Sequence, residues 1–221
     1  MMIQVYTYAA LFSLSILSST ANAALIYSND NRFISHSIDG TFTPSTPYAD
    51  FRESWYAYDA GAYQNTILKN SAMSGSGSTV ATIDVMNYGV EVISRFDVNF
   101  SVNQITDFSL KGSLETSGDS DGDLYVSLLE NGTEIFGLDM LDLTTNGSNP
   151  FNFAGQFSTG STYQLILQSN MYDSNFYNET WNFSLSTAPA AVSTVPVPAA
   201  VWLFASGLFS LLMVTKRNSR A

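Results

Sequence analysis

The feature that most constrains the fold is an alternation of apolar and polar residues along the middle of the chain. It is clearest between residues 95 and 102, where Phe96, Val98, Phe100 and Val102 alternate with polar side chains. A period of two is typical of β-strands with one buried face. The same period recurs with these apolar positions: Phe108, Leu110 and Leu114; Leu124, Val126 and Leu128; Tyr163, Leu165 and Leu167; Trp181, Phe183 and Leu185. We therefore expect many short strands with a common buried side.

Turn signals separate these strands. Asn131-Gly132 is the sharpest, because both residues tolerate the positive φ of a tight type I′ turn, and it predicts a hairpin over residues 124–138. Further turn signals lie at residues 87–89, 118–122, 146–147 and 158–161. Short strands joined in this way predict an all-β protein, an antiparallel β-sandwich of jelly-roll or immunoglobulin-like type. The strand order does not follow from the spacing.

The region before residue 80 is less regular. Aromatic residues are crowded into residues 48–63, and Trp55, Tyr56 and Tyr58 are candidates for stacking against sugar rings. The alternative is that they fill one end of the core, since large aromatic side chains dominate core burial. Glycines alternate with serines in residues 71–79, which we interpret as a flexible loop.

One loop has the composition of a metal site. Asp119, Asp121 and Asp123 are spaced two apart and could converge on calcium as oxygen ligands, in which case the ion would be structural. Their order differs from that of an EF-hand, and a solvated acidic turn between two strands is the alternative. We expect no other cofactor.

Catalytic signals are sparse. The only histidine, His36, lies in a predicted strand, where we expect it at the surface, and the chain has no nucleophile motif. The chain has no cysteine, which excludes disulfides and thiolate chemistry. The sequence thus favours a protein that is not an enzyme. A polysaccharide-active enzyme with two facing carboxylates stays an alternative, because such pairs are defined only by distance in space.

The charge is strongly acidic. All 19 acidic residues lie between the two chain ends described below, together with only five of the eight basic residues. Such an excess of negative charge repels nucleic acid and anionic lipid, so we expect no nucleic-acid partner.

The first 23 residues have the composition of a secretory signal peptide. They contain no charged side chain, an apolar segment covers residues 9–17, and small residues stand at Ala21 and Ala23. This pattern predicts a helical signal peptide that the secretory translocon accepts and signal peptidase cleaves after Ala23. Residues 24–187 then form one exported domain, and residues 188–194, rich in Ala, Pro, Ser and Thr, form a linker.

The last 27 residues, 195–221, combine prolines, an apolar segment and basic residues. Pro196 and Pro198 precede an apolar run over residues 199–214, which is just long enough for a transmembrane helix. Lys216, Arg217 and Arg220 follow it, and a positive flank stays on the cytoplasmic side of the membrane. The body would then lie outside, in agreement with the predicted signal peptide.

The order of residues in this tail resembles the PEP-CTERM sorting signal of Gram-negative bacteria that make exopolysaccharide, with valine at position 197 in place of the family's glutamate. The matching residues are Pro196, Pro198, Ala199, Ala200, Trp202, Leu203, Phe204, Ser206, Gly207 and Leu208. The resemblance implies that an exosortase, a membrane-embedded transpeptidase, processes the tail near the two prolines. It also implies an exopolysaccharide or biofilm setting.

Together these patterns predict an exported, non-catalytic protein. It would be held transiently in the inner membrane by its tail, then processed and attached at the cell surface or released, in association with exopolysaccharide. The alternative function is a carbohydrate- or calcium-dependent binding module, and a secreted polysaccharide-active enzyme is a second one.

Overall fold

A computed structural model describes residues 23–37, 42–57, 60–81, 91–118, 122–139, 147–172 and 177–191. The predicted signal peptide up to Asn22, including Ala21, lies outside these ranges. The predicted sorting motif and the predicted basic flank of Lys216, Arg217 and Arg220 lie outside them too, as do both helices predicted at the chain ends. Within the described ranges, no helix has the length and apolar composition needed to cross a bilayer.

The described residues form thirteen strands in two antiparallel sheets, which confirms the predicted all-β sandwich. The strands are β1 (Leu25–Asp30), β2 (Phe33–His36), β3 (Phe42–Pro44), β4 (Phe51–Ala57), β5 (Ala60–Lys69), β6 (Ala72–Ala81), β7 (Glu91–Val102), β8 (Thr106–Ser117), β9 (Asp123–Glu130), β10 (Thr133–Asp139), β11 (Gly147–Phe157), β12 (Tyr163–Tyr172) and β13 (Tyr177–Pro189). Sheet A has the order β10-β9-β12-β7-β2-β3, with β1 also paired to β7. Sheet B has the order β11-β8-β13-β6-β5-β4.

The last eight strands form a nest of antiparallel pairs. The hairpin β9–β10 is the innermost pair, and β8–β11, β7–β12 and β6–β13 follow outward along the chain. Successive pairs of the nest lie alternately in sheet A and sheet B. The eight strands therefore form one long antiparallel ribbon of paired strands that is wound across both layers. The earlier strands extend each sheet beside β7 and β6.

The main core lies between the sheets and consists of the predicted apolar positions. Every inward residue named from the alternation is buried in it, which confirms those five strands. Trp181, Phe96 and Phe183 contact one another at its centre, with ring centroids 4.7–6.4 Å apart. A smaller core cluster that includes Ile34, Phe51 and Met171 lies apart from it.

Both the strands and the turn of the predicted hairpin are confirmed. Asn131 and Gly132 both have positive φ, 50° and 79°, as the type I′ turn requires. The turn predicted at residues 158–161 is also present, with Gly160 at a φ of 87°.

The prediction of a flexible loop over residues 71–79 is wrong. Nearly all of this segment belongs to β6, which is paired on both sides, with β5 and β13. Its glycines make room for neighbouring side chains: a Cβ on Gly77 would overlap the ring of Trp181 and the hydroxyl of Ser94. The absent side chain is thus replaced by the indole of the next strand, which a composition rule does not detect.

The last strand runs further than expected. Ala188 and Pro189 pair with Asp107 and Thr106 of β8, so these two residues belong to β13 and not to the linker predicted to begin at residue 188. The compact unit that contains all thirteen strands ends at Ala190.

A buried ion pair lies where β1 passes into β2. The guanidinium of Arg32 donates to both carboxylate oxygens of Asp30, from Nε at 2.8 Å and Nη2 at 2.7 Å. It also donates to the Thr66 hydroxyl in β5 and to the carbonyl of Ala49. The pair therefore ties the β1–β2 connection to sheet B.

The Asp30 carboxylate has further partners in the segment before β4. It accepts hydrogen bonds from the Ser45 hydroxyl at 2.9 Å and from the backbone N–H of Tyr48 at 2.8 Å. Desolvation by burial opposes the charged form, but the hydrogen bonds from Arg32 and Tyr48 outweigh it and hold the pKa of Asp30 below its usual value.

Candidate functional site

The candidate site is the outer, solvent-facing surface of sheet A, which we call face A. It consists of the side chains of β2, β7, β12, β9 and β10 that point away from the core. Because side chains alternate along a strand, the buried positions of β7 place Arg95 and Asp97 on the outer side. Their cross-strand partners in β12, β9 and β2 share that side.

The strand register builds a row of side chains across face A. Phe33 in β2 is opposite Arg95 in β7, Arg95 is opposite Gln168 in β12, and Gln168 is opposite Tyr125 in β9. Three strand spacings separate the two aromatic residues, a distance of about 14 Å. The row thus has an aromatic residue at each end and polar side chains between, and it is long enough for an oligosaccharide segment.

Hydrogen bonds join the polar members of face A into one network. Arg95 donates from Nη1 to Oε1 of Gln168 at 2.7 Å and from Nη2 to Oδ2 of Asp97 at 2.8 Å. The amide of Gln164 donates to Oδ1 of Asp97 at 2.7 Å, and the Tyr125 hydroxyl lies 3.5 Å from Oε1 of Gln168. Each side chain is therefore oriented by a neighbour before any ligand arrives.

Two of these residues are less exposed than their outward position suggests. Asp97 is 4% exposed and Gln168 is 8% exposed, whereas the Arg95 side chain keeps 27% of its surface accessible. Burial, which exceeds the opposing effect of Arg95, raises the pKa of the Tyr125 hydroxyl. Tyr125 is therefore protonated at neutral pH and is both a donor and an acceptor.

A second aromatic residue extends the β2 end of the row. The rings of Phe33 and Phe42 are in contact, with centroids 4.9 Å apart, and Phe42 in the edge strand β3 is 57% exposed. An exposed ring beside a fixed polar network offers an apolar surface next to hydrogen-bonding groups.

The net charge of face A is negative. Its outward positions in β7, β9, β10 and β12 include one cation, Arg95, and these carboxylates: Glu91, Asp97, Asp123, Glu134 and Asp139. Four net negative charges disfavour anionic ligands.

The aromatic residues predicted from sequence have different environments. Trp55 packs against the smaller core cluster and stacks on His36, with ring centroids 3.3 Å apart. It follows the alternative interpretation, as a core residue. Tyr56 points outward on sheet B and is 59% exposed, and Tyr58 lies outside the described ranges.

The expectation of a surface position for His36 is wrong. His36 is opposite Val92 on the inner side of β2 and is buried between the sheets against Trp55. A four-residue strand is too short for its own pattern to reveal which side faces the core.

The predicted calcium loop is only partly described. Asp123 begins β9, whereas Asp119 and Asp121 lie outside the described ranges. In the part of the chain that is described, no group of three or more His, Cys, Asp or Glu residues could hold a metal ion.

The predicted signal-peptidase position is at the start of the described chain. Ala23 is buried, and the backbone N–H of Ala24 donates to Oδ1 of Asn103 at 3.0 Å. Cleavage after Ala23 stays a prediction.

Sequence reasoning missed face A as a site. The alternation of β7 already places Arg95 and Asp97 on the outer side. Gln168 and Tyr125, however, lie 73 and 30 residues from Arg95 in the sequence. Only the strand order β9-β12-β7-β2 makes them neighbours.

Comparison with known proteins gives only distant likenesses. No family model matches the chain, and no curated protein matches it. Among solved structures it is similar to the enzymatically active domain of tailspike protein 4 of bacteriophage CBA120, at a TM-score of 0.31 and 10% identity over 76% of this chain and 20% of that one.

Two smaller domains are similar at the same level. One is the N-terminal cellulose-binding domain of a β-1,4-glucanase from Cellulomonas fimi, at a TM-score of 0.25 and 12% identity over 58% of this chain and 85% of that one. The other is the C-terminal CBM6 of a laminarinase from Zobellia galactanivorans, at a TM-score of 0.24 and 15% identity over 53% of this chain and 89% of that one. All three scores are low, so the function is inferred from this chain's own residues.

Proposed function

We propose that the body of this protein is a non-catalytic carbohydrate-binding module that holds neutral polysaccharide on face A. The observation that carries the proposal is the network of Arg95, Asp97, Gln164, Gln168 and Tyr125 on the outer face.

The chemistry of face A fits a neutral sugar chain. Sugar hydroxyls both donate and accept hydrogen bonds, and the guanidinium, carboxylate, amide and phenol groups of the network supply both kinds of partner. The apolar face of a sugar ring can pack on Tyr125 or on the Phe33–Phe42 pair. The negative charge of the face favours neutral chains over uronic-acid or sulfated ones.

Affinity electrophoresis of the full chain through gels that contain neutral or anionic polysaccharides tests this proposal. We expect at least one neutral polysaccharide to retard the protein, and Arg95→Met to weaken that binding at least tenfold, a loss of about 1.4 kcal/mol. Arg52→Met is the matched control, because Arg52 is an exposed arginine on sheet B. Retardation that Arg95→Met leaves unchanged, or binding of anionic chains alone, contradicts the proposal.

The chain ends supply the proposed location. We propose that the signal peptide exports the body and that an exosortase processes the tail at Pro196 and Pro198, after transient retention in the inner membrane. The support is the sequence pattern, in which an apolar run is followed by Lys216, Arg217 and Arg220. The surface protein should then lack Ala221 by C-terminal mass spectrometry, and an intact C-terminus there contradicts processing.

For the fold, we propose the jelly-roll rather than the immunoglobulin-like alternative. The support is the nest of four antiparallel pairs, β9–β10, β8–β11, β7–β12 and β6–β13, wound across two sheets. An experimental structure with a different order of these eight strands would exclude it.

A further inference from the structure

The outer surface of sheet B, which we call face B, differs from face A in its charge. Of the five Lys and Arg residues in the described ranges, Arg32 is buried and Arg95 belongs to face A. The other three, Arg52, Lys69 and Lys111, all point outward from sheet B, as the register with their neighbours requires.

Face B also carries few carboxylates. Its outward positions in the described strands include two, Asp107 and Glu115, so its net charge is one positive. The whole chain has a formal net charge of −11. Within the described ranges, the lysine and arginine residues other than Arg32 and Arg95 thus lie on one side of the sandwich.

The centre of face B is flat, because its side chains are small. Cross-strand rows place Ser74 of β6 beside Ser184 of β13, and Ser76 beside Asn182. In β8, Ser113 continues the second row and accepts a hydrogen bond from the Asn182 amide at 2.6 Å. Small hydroxyl and amide side chains allow another flat surface to approach closely.

The dimensions of face B suit a protein interface. Its six strands span about 24 Å, and ten residues of β5 or β6 span about 33 Å. The resulting area of roughly 800 Å² equals what one partner buries in a standard interface.

We propose that face B docks on face A of a second copy of this chain. Face A has four net negative charges and face B has one net positive charge, so the two faces attract, whereas two copies of face A would repel each other. Because the two surfaces differ, the contact is heterologous and leaves one face of each type open for further copies. A bound polysaccharide would cover face A, so the association is expected when polysaccharide is absent. Only that expectation rests on the proposed function.

Sedimentation velocity of the full chain tests the proposal, in mild detergent with micelles in excess so that the apolar tails do not bring copies together. At about 50 mM salt the sedimentation coefficient should rise with protein concentration, and at about 500 mM it should fall towards the monomer value. Ser184→Glu, at an exposed position in the centre of face B, should weaken association at least tenfold.

The matched control is Ser158→Glu, which adds the same charge at an exposed turn residue off both faces. It should associate as the wild type does, and both variants should keep the wild-type urea midpoint.

Two outcomes overturn the proposal. If the wild type and Ser184→Glu associate equally, another surface or the tail joins the copies. If the wild type stays monomeric but binds sulfated dextran, and Ser184→Glu does not, face B takes an anionic polymer and not a second copy.

Discussion

Two Arg–Asp pairs of the same spacing have different environments. Asp30 and Arg32 are two residues apart and 2.7 Å from Nη2 to Oδ2, and Arg95 and Asp97 are two apart and 2.8 Å. The side chains of the first pair are 0% exposed, and its remaining partners come from the protein, including Thr66, Ala49, Ser45 and Tyr48. In the second pair the Asp97 side chain is 6% exposed, but the Arg95 side chain on face A is 27% exposed. An Arg–Asp pair whose hydrogen-bonding groups are filled by protein partners thus stabilises the fold. A pair whose guanidinium is partly accessible can also bind a ligand.

The largest effect should come from breaking the buried pair. Arg32→Met removes the guanidinium and leaves the Asp30 carboxylate buried without its counter-ion, which should lower the free energy of unfolding by about 3–5 kcal/mol. Urea unfolding followed by tryptophan fluorescence measures the loss. A loss below about 1 kcal/mol would mean that this pair is no more structural than the one on face A.

Acid should act selectively on the buried pair. Because the pKa of Asp30 is lowered on folding, its stabilising contribution is complete above the ordinary value of 3.8 and is lost as the pH falls through the lower folded pKa. In Arg32→Met that pKa should instead be raised by burial, so protonation relieves the unpaired charge. The stability difference between wild type and variant should therefore narrow from pH 7 to pH 3 in urea unfolding. A constant difference contradicts this account of Asp30.

A smaller effect should follow from removing one partner of Asp30. Ser45→Ala deletes a 2.9 Å hydrogen bond to its carboxylate and should cost about 1.5–3 kcal/mol. Ser148→Ala is the matched control, because its hydroxyl lies 3.5 Å from the Glu115 carboxylate at an exposed position and should cost almost nothing. If urea unfolding gave equal losses of stability for Ser45→Ala and Ser148→Ala, the hydrogen bond from Ser45 to Asp30 would contribute nothing to the stability of the fold.

The smallest change in stability should come from the open pair. Arg95→Met should lower the free energy of unfolding by about 1 kcal/mol, less than Arg32→Met does, because the amide of Gln164 still donates to Asp97 when the guanidinium is gone. The same variant is expected to lose polysaccharide affinity. A loss of several kcal/mol would show that Arg95 is needed for the fold, and the binding result would then need a milder variant, Gln168→Ala.

The sequence predicts the strands better than it predicts the site. Alternation identifies β7, β8, β9, β12 and β13 because each has one face on a single large core, and Asn131-Gly132 identifies the hairpin because its backbone requirement is local. Residues 71–79 fail because the bulk missing from Gly77 is supplied by Trp181 of another strand. Gln168 and Tyr125 join Arg95 only through the strand order, which no local pattern contains.

No local pattern predicts the burial of the Asp30–Arg32 pair either. Asp30 and Arg32 look like an ordinary polar turn between two short strands, and their burial depends on Thr66 and Ala49, which lie 34 and 17 residues from Arg32. Long-range partners of this kind turn a sequence that resembles a surface loop into a closed contact between two sheets.

The nest of strand pairs has a consequence for the timing of folding. Its outermost pair, β6–β13, joins residues as far as 114 apart in sequence, as between Ala72 and Ser186. Chains rich in such distant pairings fold slowly, on the order of milliseconds to seconds, because a large loop must close before the contacts form. β13 is central in sheet B, between β6 and β8, so the second layer cannot be completed until the chain up to Pro189 is free to pair. Until then β6 and β8 each have one edge without a partner strand in sheet B.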